Sequence, residues 1–164
     1  MSNIDRSTRD VAKICFTYAL SVLIFNVVPI IIGVLMASMA MTETQAGLIG
    51  TAEMTLMSVT GFSLAHVLTN ISRKKLLLLG TGLLIVGNIL SLCISGYWPL
   101  AITRATAGFG AGLLFVYANT RIAKSKDPVR IYGIAVTSAT LLGAAMLILL
   151  PAISSVYGYE GVFI

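Results

Sequence analysis

The sequence predicts an all-α fold, a polytopic transmembrane helical bundle with five complete spans and the start of a sixth. Hydrophobic residues make up 57% of the 164 residues and charged residues only 10%. Soluble domains carry about 25% charged residues, because they must present a polar shell to water. The charges here are confined to short stretches between long apolar runs, and each run reaches the roughly 20 residues that a bilayer-crossing helix needs.

The apolar runs define five spans in order along the chain. A polar tail covers residues 1–13, and the predicted spans cover about 14–39, 46–68, 76–95, 100–123 and 132–156. A backbone in lipid must satisfy its own hydrogen bonds, so each run is expected to be a helix. The sequence turns apolar again at about residue 161, which indicates a sixth span cut short. Residues 1–164 are thus expected to form a single membrane domain, a fragment of a longer protein.

The basic residues predict the orientation of the bundle. Ten of the eleven Lys and Arg residues lie in the N-terminal tail and in the second and fourth connections, and the first, third and fifth connections carry none. Basic residues accumulate on the cytoplasmic side of membrane proteins. The alternation therefore predicts a multi-pass protein of the cell (inner) membrane with a cytoplasmic N-terminus. It also accounts for the net charge of +5 without a nucleic-acid partner.

The sequence also argues against an enzyme. No nucleotide-binding loop, zinc signature or nucleophile elbow is present, and the short connections have no room for a catalytic domain. Cys15 and Cys93 lie in separate apolar runs without CxxC spacing, so both are expected to be buried, inert thiols. We expect no enzymatic activity, no cofactor and no metal site.

Two charged residues interrupt the spans, and both are candidates for function. A charge inside a span costs roughly 2.5 to 3.5 kcal/mol on insertion scales, so it is a functional candidate by default. At a rise of 1.5 Å per residue, Glu53 lies roughly 10 Å and Arg104 roughly 6 to 8 Å from the outer side. The two side chains could therefore face a shared cavity or each other. The alternatives are a purely structural ion pair, or an Arg104 that extends to the outer surface.

Asn26 is a milder candidate near the middle of the first span. Its amide could hydrogen-bond a neighbouring helix or a ligand, and Pro29 one turn later is expected to loosen the helix. Small residues at four-residue spacing predict three helix-packing seams. They comprise Gly108 and Gly112 on the fourth span, Ala135, Ala139 and Gly143 on the fifth, and Gly87, Ser91 and Ser95 on the third.

Several stretches resemble the major facilitator superfamily of transporters. Residues 44–51, Thr-Gln-Ala-Gly-Leu-Ile-Gly-Thr, resemble its first outer loop and second helix. The connection before the third span lies where the family has a cytoplasmic motif, whose terminal basic pair matches Arg73 and Lys74. Residues 104–112 resemble the family's Arg-x-x-x-Gly-x-Gly pattern, and residues 127–130 resemble its fourth connection.

The resemblance implies the first five helices of a twelve-helix secondary transporter, in which helices 1 and 4 line a central cavity. It implies a small-molecule solute and protons as partners, in addition to the lipid bilayer and the missing C-terminal half. Glu53, Arg104 and Asn26 are the candidates for substrate binding or proton coupling. The alternative is a non-transporting polytopic protein that acts as an accessory or partner-binding subunit.

Overall fold

The computed structural model describes residues 3–63, 71–94 and 96–157, and of these the side chains of 3–7, 38, 73 and 154–157 are not described. The regular structure in these ranges is entirely helical, which confirms the all-α prediction. The helices, numbered in chain order, are α1 (Asn3–Met39), α2 (Glu43–Ser63), α3 (Arg73–Cys93), α4 (Tyr97–Ala123) and α5 (Pro128–Tyr157).

Four of these helices are long and apolar enough to cross a membrane, through the stretches Thr8–Ala37, Lys74–Cys93, Tyr97–Ala123 and Pro128–Ile153. Helix α2 is not among them, because Glu43, Gln45, Glu53 and several hydroxyl residues dilute its apolar character. Five complete spans therefore remain a prediction. The expected end of the second span at residue 68 and the sixth span from about residue 161 lie outside the described residues.

Local chemistry explains where the helices begin. Before α2, Thr42 and Gln45 form a reciprocal capping box: the Gln45 amide donates to Thr42 Oγ1 (3.3 Å) and the Thr42 amide donates to Gln45 Oε1 (3.1 Å). At α5, Asp127 Oδ1 accepts a hydrogen bond from the Arg130 amide (3.0 Å), and Pro128 occupies the first helical position. Between α3 and α4, Gly96 adopts a φ of 115°, which side chains disfavour.

Helix α4 is the central element of the bundle. It packs against α2 on one side and α3 on the other, while α1 packs against α5 and touches α4. Glycines allow these approaches: a Cβ at Gly108 would collide with the Glu53 backbone carbonyl, and one at Gly112 would lie 2.8 Å from the Met57 carbonyl oxygen. This close α2–α4 contact sets the position of both charged residues within the spans.

The seam between α1 and α5 holds the other small residues. Ala139 is buried among apolar side chains of α1 and α4, and Gly143 lies directly against the Asn26 side chain. Helix α1 continues through Pro29 without a break in its assignment. It also begins at Asn3, so most of the polar tail is a helical extension of the first span.

Large apolar side chains cover the outer surface of the bundle. On α3 they include Val86, Ile89 and Leu90, as expected of a helix face that contacts lipid. Cys15 is buried as predicted, but the prediction for Cys93 is wrong, because Cys93 is exposed. It follows Val86 and Ile89 at helical spacing and so shares their outward face.

Candidate functional site

The two charged residues within the helices contact each other. Arg104 Nη1 lies 3.5 Å from Glu53 Oε2, and the two side chains are only 3% and 5% exposed. Arg104 therefore does not extend to the outer surface. Gly108 is one helical turn after Arg104, and its contact with the Glu53 backbone brings α2 close enough for the ion pair to form.

Helix α3 provides further partners of the guanidinium group. Arg104 Nη2 donates to Asn88 Oδ1 (2.8 Å) and Nε donates to Ser91 Oγ (3.1 Å). The partners are themselves fixed to their helix, because Asn88 Nδ2 donates to the Leu84 carbonyl (3.0 Å) and Ser91 Oγ donates to the Gly87 carbonyl (2.7 Å). Arg104 is thus anchored on α3 through short bonds, while its contact with Glu53 is the longer one.

Sequence reasoning missed part of this network. It did not single out Asn88 as a partner, nor Thr103, whose hydroxyl lies 3.0 Å from that of Ser91. It placed Ser91 only in a small-residue packing seam. Asn88 and Ser91 are three residues apart in an otherwise apolar run, so they share a helix face. Two polar residues on one face of an apolar helix could have indicated a partner for Arg104, since a buried guanidinium group needs several hydrogen-bond acceptors.

A cavity of about 340 Å³ adjoins the ion pair. Residues of all five helices line it: Glu53, Asn88 and Arg104 provide polar groups, and most of the wall is apolar, including Ile24 and Val27 of α1. Small-molecule sites commonly combine apolar walls with a few polar groups that fix orientation. The arrangement can therefore accommodate a small solute beside a titratable carboxylate.

Asn26 lies elsewhere. It is half-buried on α1 and lines a separate cavity of about 330 Å³, together with Tyr18, Phe25, Phe115 and other residues of α1 and α5. It does not line the cavity beside the ion pair. The structure thus brings Glu53 and Arg104 together and leaves Asn26 apart from them, against Gly143.

The remaining predicted residues lie outside this region. Arg73 begins α3 and its side chain is not described, whereas the Lys74 side chain is exposed. Within residues 3–63, 71–94 and 96–157 no group of three or more His, Cys, Asp or Glu side chains could hold a metal ion.

Comparison with known proteins identifies the family. The sequence model of the Major Facilitator Superfamily matches residues 14–164, which is nearly the whole chain. Comparisons with curated proteins and with solved structures gave no match. The match includes the motif around Arg104 that indicated the resemblance, and it includes all five helices from residue 14 onward. The chain therefore belongs to the major facilitator superfamily.

Proposed function

We propose that the protein is a secondary active transporter of a small solute, driven by protons through Glu53. The family suggests transport, and the observation that carries the finer proposal is the buried Glu53–Arg104 pair at the wall of a five-helix cavity. Ionisable residues inside membrane helices commonly mark substrate pathways and proton relays in transporters.

The unequal bonding of Arg104 supports a division of roles. Asn88 and Ser91 hold the guanidinium on α3, so it is the fixed member of the pair. Glu53 is the member that can lose its charge. Protonation of Glu53 would leave the positive charge of Arg104 without its counter-ion, which favours an anionic group of the solute there. Loss of the proton would restore the ion pair and release that group.

The proposed transport mechanism is alternating access, in which a second helical bundle rocks against this one around the site. We therefore propose that the described helices work with a C-terminal half that completes the cavity. We further propose that the protein lies in the cell membrane with its N-terminus in the cytoplasm, on the strength of the alternating basic connections.

The coupling role of Glu53 is testable with the full-length protein reconstituted into liposomes that contain a pH-sensitive dye. A panel of solutes is screened for those that drive proton movement. For such a solute, Glu53→Gln should abolish the proton flux while solute exchange between the two sides continues, because the amide cannot carry a proton.

Glu43→Gln is the matched control, since Glu43 is an exposed residue at the start of the same helix. It should retain the proton flux. An unchanged flux in Glu53→Gln would remove Glu53 from the mechanism. If no solute moves, and if the reading frame ends at Ile164, the accessory-subunit alternative gains support instead.

The orientation has its own test. A phosphatase reporter that is active only outside the cytoplasm should be inactive when fused after Lys126 and active when fused after Gly96. The two positions flank α4, so they must lie on opposite sides if that helix spans the bilayer. The reverse pattern of activity would contradict the proposed orientation.

A further inference from the structure

A polar cleft of about 580 Å³ lies where α1, α4 and α5 meet at one end of the bundle. The apolar stretch of α4 ends at Ala123 and that of α5 begins at Pro128, so the cleft is at the boundary between membrane and water. Within the described part of the chain, four basic side chains line it: Arg121, Lys124, Lys126 and Arg130.

The positive charge of the cleft is only partly balanced. The carboxylates of Asp10 and Asp127 also line it, and Asp127 caps the start of α5 by accepting the Arg130 amide. In the part of the chain that the structure describes, neither carboxylate forms an ion pair with the four cations. Among the described residues, the lining therefore carries two more positive than negative groups, which attracts an anion.

Arg121 shows where that anion would bind. Its Nε is buried and has no hydrogen-bond partner among the described residues, and a buried donor without an acceptor is unfavourable. The residue lies in the last turn of α4, where the helix dipole favours a cation. Because the Arg121 side chain lines the cleft, a phosphate oxygen there would give its guanidinium group a charge-assisted bond, and a rotation of the side chain would let Nε share it.

The rest of the cleft favours a lipid over a soluble anion. Val11, Ile14 and Ile134 contribute apolar surface to it. From Ile134 an exposed apolar stripe continues along α5 through Leu141 and Ile148, at a spacing of seven residues that keeps them on one face. A phospholipid can place its phosphate among the basic residues and an acyl chain on this stripe, whereas a free anion would contact only the basic residues.

We propose that this cleft binds the headgroup phosphate of an anionic phospholipid. The site is distinct from the cavity beside Glu53, and the proposal depends on neither the solute nor the coupling ion. A failure of proton coupling would therefore leave it intact.

Native mass spectrometry of the detergent-purified full-length protein tests the proposal, with phosphatidylglycerol and phosphatidylcholine added in equal amounts. The protein should preferentially retain phosphatidylglycerol. Arg121→Gln should weaken this retention about tenfold, because one charge-assisted hydrogen bond is lost. Lys124→Gln should weaken it in the same direction.

Lys75→Gln is the matched control for Lys124→Gln, because Lys75 is also exposed but does not line the cleft. It should retain the lipid like the unmodified protein. Equal retention of the two lipids, or equal loss in the Lys75 variant, would overturn the proposal. Displacement of phosphatidylglycerol by an equal concentration of inorganic phosphate would also overturn it, by assigning the cleft to a free anion. If Arg121→Gln fails to fold, the comparison of Lys124→Gln with Lys75→Gln tests the proposal, and equal retention of phosphatidylglycerol by these two variants would overturn it.

Discussion

Gly108→Ala is expected to destabilise the bundle by about 1–3 kcal/mol or more, the range for overpacking a well-packed interior. The added methyl group would collide with the backbone carbonyl of Glu53. A backbone cannot move aside as a side chain does, so α2 as a whole must shift away from α4. The 3.5 Å ion pair would lengthen in the same shift. Thermal unfolding in detergent, followed by the loss of helical circular dichroism, measures the effect.

Other glycines of the chain provide graded controls. A Cβ at Gly82 meets nothing within 4 Å, and one at Gly50 lies 3.5 Å from a methyl group of Val28. Gly82→Ala should therefore cost no stability, and Gly50→Ala should cost little. Equal stability of the Gly108, Gly50 and Gly82 variants would contradict the close α2–α4 contact on which the site depends.

The fold was largely predictable because lipid imposes a simple rule on sequence. A helix that crosses hydrocarbon must be long and apolar, so the apolar runs located the five helices, four of which meet the requirement for a span. Helix α2 is the exception in apolar character. It carries Glu53, which is buried on a helix packed against α4, and several hydroxyl residues, most of which are exposed.

The site was predictable only in part. Depth along each helix placed Glu53 and Arg104 at one level, but hydropathy contains no information about which faces meet. The anchoring of Arg104 by Asn88 and Ser91 depends on the rotation of α3 about its axis, and that rotation follows from the contacts of Gly80 and Gly87 with α4. Asn26 illustrates the same limit. Its depth in the first span could be predicted from the sequence, but the orientation of its side chain toward Gly143 could not.

Replacement of Arg104 by methionine is expected to have the largest effect, a loss of about 3–5 kcal/mol of stability. The change leaves the carboxylate of Glu53 buried without its counter-ion, and it leaves Asn88 and Ser91 without their shared donor. Glu53→Gln alone should cost less, because Asn88 and Ser91 still solvate the guanidinium. The double variant Arg104→Met/Glu53→Gln should recover much of the loss, since no unpaired charge remains.

These two single variants and the double variant form a double-mutant cycle, which separates the structural role of the ion pair from its role in transport. Two exposed residues, Glu43 and Lys75, provide the control cycle through Glu43→Gln and Lys75→Met, whose effects should be small and additive. If the Glu53–Arg104 variants were also additive, the two side chains would not be coupled and the ion pair would be incidental. If the double variant regains stability but no proton flux, the pair cannot be merely structural, because a neutral pair then suffices for folding. That outcome would assign the two charges to transport rather than to folding, and the single Glu53→Gln variant, which keeps Arg104, tests whether the proton moves through Glu53.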